Sequence, residues 1–349
     1  MKTTYLISTA LTLGVVAAVM LPAEEVQAED CLLDRNNDGS VNLSDDDGGA
    51  NSNDIDTALA CGASASAGAE RSTALGVQSA ATGVSSVAVG DGARASNVNS
   101  VAQGTLAQAT QAGSTALGPL SVATGTASVA VGRAAQSVAQ SSTAVGALAS
   151  SGGDFSSAFG TQANASSPAS TALGFLSQAT NTNATAVGPG AAASGTFSIS
   201  LGSLSSASAN QTISIGNNAQ ASQVESVALG PAAAATAGFS TTIGSQSAAS
   251  AIAATALGSS SVASGATATA LGRAAQATNT AATAVGAGAT ASEVETIAIG
   301  LLSGASASAA TAIGSGSQAG GTDSLALGRI AGATAAFGTA IGSESAAAA

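Results

Sequence analysis

From Ser72 onward, bulky apolar positions and small or polar ones follow one order that returns every 14 residues. The first full copy begins Ser72-Thr73-Ala74-Leu75-Gly76, and these residues define slots 1 to 5 of the repeat. The slot 5 glycine recurs twenty times from Gly76 to Gly342 without one insertion or deletion. The chain has 43 glycines in 349 residues, so composition alone does not produce that register. Slot 4 is Leu, Val or Ile in 18 of 20 copies, Gln103 and Phe159 being the exceptions, and slot 2 is mostly Thr, Val or Ile. Alternation of branched with small residues has the period of a strand. Glycine ends it, and slot 6 carries turn residues such as Pro119, Pro189, Pro231 and Asp91. A second alternation follows, with Ala or Ser in slots 8 and 10 of every copy. Each repeat therefore predicts two short strands and two turns.

Fourteen residues are too few for a helix pair or a propeller blade but suit one coil of a narrow solenoid. Identical slots then stack as parallel strands about 4.8 Å apart, and some twenty coils make a rod roughly 100 Å long. The larger residues of slots 2 and 4 are expected to face inward, with the small residues of slots 8 and 10 letting the second strand close upon them. Slot 3 then faces outward, and it is Ala in 17 of 20 copies with Ser200, Ser214 and Thr242 as departures. A solvated face has no reason to avoid charge so completely. The alanine stripe of Ala74, Ala88, Ala116, Ala130, Ala144, Ala172, Ala186, Ala228, Ala256, Ala270 and Ala284 is therefore expected to pack against other copies of the chain.

The segment before the repeats changes the picture in two ways. Lys2, an apolar run from Leu6 to Pro22 and a small-x-small site at Val26-Gln27-Ala28 read as a secretion signal over residues 1–28. No later stretch has the roughly 18 continuous apolar residues of a membrane helix. Residues 29–56 read as a separate acidic module and 57–349 as the repeat domain. The net charge of −12 is uneven: nine of nineteen acids lie between Glu29 and Asp56, whereas residues 57–349 carry eight acids and five arginines. Once the signal leaves, no His, Lys, Tyr or Trp remains. Acid-base and nucleophilic catalysis draw on those side chains, and no catalytic triad, phosphate loop or zinc spacing appears, so an enzyme is not expected. Nucleic-acid binding needs clustered cations and stacking aromatics, and neither is present.

Within the acidic module, Asp34, Asn36, Asp38, Asn42 and Asp45 stand at positions 1, 3, 5, 9 and 12 of a twelve-residue loop. Gly39 occupies the sharp turn, and Ser40 offers its carbonyl. Hard oxygen donors at these offsets suit Ca²⁺, the alternative being a solvated acidic linker. The loop resembles the dockerin type, which ends in Asp. Cys31 and Cys61 bracket it. In an exported chain they favour a disulfide, a free buried thiol or an intermolecular bond being the alternatives. Cys61 falls in slot 4 of a degenerate first coil, so the bridge would bind the calcium loop to the rod as a cap.

The Ser-x-Ala-x-Gly strand every 14 residues, followed by small-x-Ala, resembles the head repeats of YadA-type trimeric autotransporter adhesins from Gly62 to the end. The resemblance implies a left-handed parallel β-roll, three chains side by side, and adhesion to an extracellular matrix, cell-surface or abiotic ligand. No heptads or barrel strands follow the last repeat, and an open final coil invites end-to-end docking. A structural extracellular fibre is the alternative. An ice-binding solenoid is a third reading, because slot 2 is Thr in 11 of 20 copies; it requires slot 2 to face outward, whereas Val87, Ile199 and Leu325 in that slot argue for inward. Phe155, Phe197, Phe239 and Phe337 all fall in slot 14, where a structural role over a turn is expected rather than contact with a ligand.

Overall fold

A computed structural model describes residues 49–348, apart from 54 and 56. Among the described residues there is no helix; three-residue and two-residue strands alternate along the whole length. The first four are β1 (Leu59–Cys61), β2 (Ser66–Ala67), β3 (Thr73–Leu75) and β4 (Ala80–Ala81), and the order ends with β41 (Thr339–Ile341) and β42 (Ala346–Ala347). Each three-residue strand pairs in parallel with the one a coil later. Leu59 faces Thr73, Ala60 faces Ala74 and Cys61 faces Leu75, a register of 14 that holds along the rod. The two-residue strands make a second parallel stack in the same way, from β2 to β42. The result is a parallel β-solenoid of 21 coils, about 100 Å long at the usual strand spacing.

Turn chemistry explains the serines. Ser72 Oγ donates to the carbonyl of Ala69 at 2.6 Å, and Ser79 Oγ donates to Gly76 O at 2.9 Å. Slots 1 and 8 thus close the two turns of a coil with a short hydroxyl that needs no water. Gly76 has φ +123°, and a Cβ there would lie 2.8 Å from the carbonyl of Gly90 in the next coil. Only glycine fits that approach. The slot 6 N–H groups are not used in the ladder, which explains why proline is accepted at 119, 189 and 231.

The interior overturns the expected facing of the strands. Slots 1, 3, 8 and 10 point inward: Ser72, Ala74, Ser79 and Ala81 have no exposure. All eleven alanines assigned to an outer stripe, Ala74, Ala88, Ala116, Ala130, Ala144, Ala172, Ala186, Ala228, Ala256, Ala270 and Ala284, are completely buried inside the coil. Thr212, Thr242 and Thr296 are the largest fully buried side chains. Two sheets joined by such short turns stand too close for Leu or Ile between them, so size rather than hydrophobicity decides which side of the strand is inside. Because strand side chains alternate with period two, that choice turns slots 2 and 4 outward together.

At the N-terminal end, Asn51 bridges Ser66, accepting from Ala67 N and donating its own N–H to Ala65 O, both at 2.8 Å. Ala50, Ser52 and Ala58 are buried there, and Ile55 packs on the alanine core.

Candidate interaction surface

The strand built from Thr171, Ala172 and Leu173 illustrates how the surface arises. Ala172 is driven inward because it alone fits, and Thr171 and Leu173 are left outside with Leu173 at 47% exposure. Parallel register repeats this at every coil, so slot 4 becomes a row of Leu, Val and Ile running the length of the rod, interrupted at Gln103 and Phe159. Each side chain is covered only by its own kind from the coils above and below. Ile215, Ile243, Leu257, Leu271, Ile299 and Leu327 remain exposed. Slot 2 runs beside it, half-buried, as Thr73, Val87, Thr115 and their equivalents. No charged residue occupies slot 2 or slot 4 in any described coil.

The opposite sheet differs. Its outward slot 9 carries exposed glutamine at 108, 136, 178, 220, 276 and 318, and slot 11 is largely Ser and Thr. That face is readily hydrated, whereas the aliphatic face is an unpartnered apolar surface far longer than soluble single chains ordinarily present. The larger aliphatic residues of this chain lie outside and the smallest lie inside, the reverse of a conventional core.

Among the other expected site residues, the calcium loop of Asp34, Asn36, Asp38, Ser40, Asn42 and Asp45 lies outside the described residues. So does Cys31. Cys61 is half-buried in slot 4 of the first coil and faces outward with the aliphatic row. No group of three or more His, Cys, Asp or Glu among the described residues is placed to hold a metal. No helix there is long and apolar enough to cross a membrane. The surface that the sequence pattern missed is the opposite side of the strand it named. Its signal was present in slots 2 and 4, which admit Phe159, Gln103, Leu and Ile, a range of sizes that a narrow interior cannot hold.

Comparison with family models decides the relationship. The YadA head domain repeat matches thirteen segments between residues 56 and 345, some of them overlapping, including 56–79, 67–93, 179–205, 193–219 and 319–345. The chain belongs to the YadA head family. Together the segments cover more than half of the sequence, and each spans about two coils, as the two-copy family model requires. A search of curated proteins finds no match. As a YadA head, this chain has the parallel roll that its repeat implied.

Proposed function

We propose that the protein is the adhesive head of a surface-exposed or secreted rod, assembled from three copies of the chain through the slot 2 and slot 4 face. The observation that carries this reading is the aliphatic row: a fold whose interior holds only Ala, Ser and Thr leaves its larger apolar side chains outside. Burying such a row contributes roughly 25 cal/mol per Å² of apolar area, and only a partner of matching length and period covers it. Another copy has both. Three rolls meeting along this face leave the glutamine and serine sheet toward solvent and produce a stiff rod with a wetted exterior. Such a rod holds a binding surface away from whatever carries it. The chemistry is recognition, not turnover.

The test is twofold. Sedimentation of the exported protein is expected to give three times the single-chain mass, and immobilised protein is expected to retain cells or coat surfaces. A monomeric mass, or a rod inert toward cells, matrix and abiotic surfaces alike, removes the reading. At the N-terminal end, the module of residues 29–56 is proposed to bind Ca²⁺ and to be tied to the first coil through Cys31 and Cys61. Mass spectrometry of the non-reduced protein is expected to find that intrachain pair.

Ice binding gains from the same geometry, since slot 2 threonines face outward. The two readings exclude each other on one face, because threonines covered by neighbouring chains cannot order water. Thermal hysteresis in a monomeric preparation would favour ice; a trimer without hysteresis favours the adhesin.

A further inference from the structure

All six phenylalanines of the chain lie on the outside of the rod, at exposures from 38% for Phe159 to 77% for Phe337. Three of them form a regular set. Phe155, Phe197 and Phe239 occupy slot 14 at intervals of 42 residues, which is three coils and so about 14 Å along the axis. They are 63%, 59% and 57% exposed, so they cover little of the turn, contrary to the structural role expected for them. Their backbone is also unfavourable for a bulky residue. Each has φ between +57° and +60°, a left-handed conformation better suited to Gly, Asn or Asp. Ala169 and Asn183 hold the same slot in neighbouring coils, so the fold does not need phenyl rings there.

The surroundings of the central ring define what it faces. Backbone bonds along this edge stack the coils in order, with Phe197 N donating to Thr182 O at 3.0 Å and Gln211 N to Thr196 O at 2.9 Å. Asn183 therefore lies one coil below the ring and Gln211 one coil above it, both exposed. Asn181 Oδ1 accepts from Thr196 Oγ1 at 3.1 Å and from Thr182 N at 2.9 Å. Asn210 Oδ1 accepts from Thr196 N at 3.1 Å, and the residue is exposed. Toward the outer rings stand the carboxylates of Asp154, which accepts from Gln140 N at 3.1 Å, and of Glu225. No Lys or Arg occurs anywhere between Arg133 and Arg273.

We infer that the slot 14 edge from Phe155 to Phe239 is a binding site for a neutral glycan, with the rings stacking on the apolar C–H faces of sugar units and the intervening amides and carboxylates bonding to hydroxyls. This rests on the adhesin reading and names the ligand class of that surface. A sugar chain alternates apolar ring faces with hydroxyls, and between the phenyl rings the edge carries the amides of Asn183 and Gln211, which both donate and accept, and the Glu225 carboxylate, which accepts. The missing cations exclude recognition of a polyanion, which draws its affinity from Lys and Arg. A second copy of the chain is a poor fit, because the rings stand three coils apart, separated in slot 14 by Ala169, Asn183, Gln211 and Glu225, instead of merging into an unbroken apolar strip.

The experiment uses the full exported assembly against insoluble cellulose, insoluble chitin and soluble dextran. Retention on at least one is expected. Phe197→Ala is expected to weaken it roughly tenfold, a loss of about 1.4 kcal/mol, and Asn210→Ala with Gln211→Ala to weaken it as well, while Phe337→Ala, seven coils beyond Phe239, leaves it unchanged. Circular dichroism and particle mass are expected to stay as in the parent, since alanine already occupies this slot elsewhere. Three results overturn the site: no retention on any of the three polysaccharides, retention that Phe155→Ala, Phe197→Ala and Phe239→Ala together leave intact, or a change of particle mass in those variants. A rod that still attaches to cells yet ignores all three polysaccharides defeats the glycan site alone; a rod that attaches to nothing defeats the adhesin reading.

Discussion

Inside a coil the hydroxyl group is the critical chemical detail, because every inward residue is small and any polar atom there must be satisfied from within the same or the next coil. Most are. Ser151 and Ser156 bond to each other at 2.6 Å, and Ser156 also donates to Gly153 O. Ser214 Oγ and Thr242 Oγ1 have no partner and are buried. The contrast with Ser200 explains Ser214: the Ser200 hydroxyl bonds Ser205 across the coil at 2.7 Å, whereas the residue equivalent to Ser205 in the next coil is Ala219. An unsatisfied buried hydroxyl costs about 1–3 kcal/mol. Ser214→Ala is therefore expected to stabilise the rod by about 1 kcal/mol, read as a higher urea midpoint with an unchanged slope. Ser156→Ala, which strands Ser151, is expected to shift the midpoint down. A lower midpoint for Ser214→Ala would mean that its hydroxyl has a role in the coil that geometry does not disclose.

The strand is where the sequence was legible in one respect and misleading in another. Period, strand positions and turn slots all follow from glycine at slot 5 and from alternation, and the parallel register of Leu59 with Thr73 is the repeat length itself. Facing does not follow, because alternation specifies two faces without saying which is inside. Hydrophobicity placed Leu173 inside and Ala172 outside; steric room places them the other way round. A more reliable guide was tolerance to size, since slots 1, 3, 8 and 10 never hold anything larger than Thr. The two assignments separate experimentally. Ala144→Asp with Ala172→Asp places unpaired charges in the coil and is expected to cost more than about 3 kcal/mol, unfolding the coils around them with loss of strand signal in circular dichroism. Leu173→Asp, Ile243→Asp and Leu271→Asp together are expected to preserve that signal and reduce the particle to the mass of one chain. If the alanine variants stay folded and merely dissociate, the facing of the strands is wrong.

Across the whole molecule, charge and assembly are kept apart. The coils from residue 57 onward carry eight acids against five arginines, and none occupies the aliphatic face. Arg329 and Glu344 do pair, but on the surface one coil apart, where an ion pair is worth little. The proposed association through slots 2 and 4 then depends on apolar burial and not on attraction between fixed charges. Raising sodium chloride from about 0.01 M to about 1 M shortens the screening length from about 30 Å to about 3 Å, and the particle mass is expected to remain that of the assembly. Sodium sulfate is expected to stabilise it further, because excluded salts favour burial. Chelation gives the complementary result. With no metal-binding group among the described residues, EDTA is expected to leave the rod's circular dichroism and mass unchanged, while altering the protease sensitivity of residues 29–56 by removing the Ca²⁺ proposed for the loop of Asp34, Asp38 and Asp45. Dissociation of the rod by salt would require an electrostatic seam between chains, and the uncharged aliphatic face could then no longer be the surface that joins them.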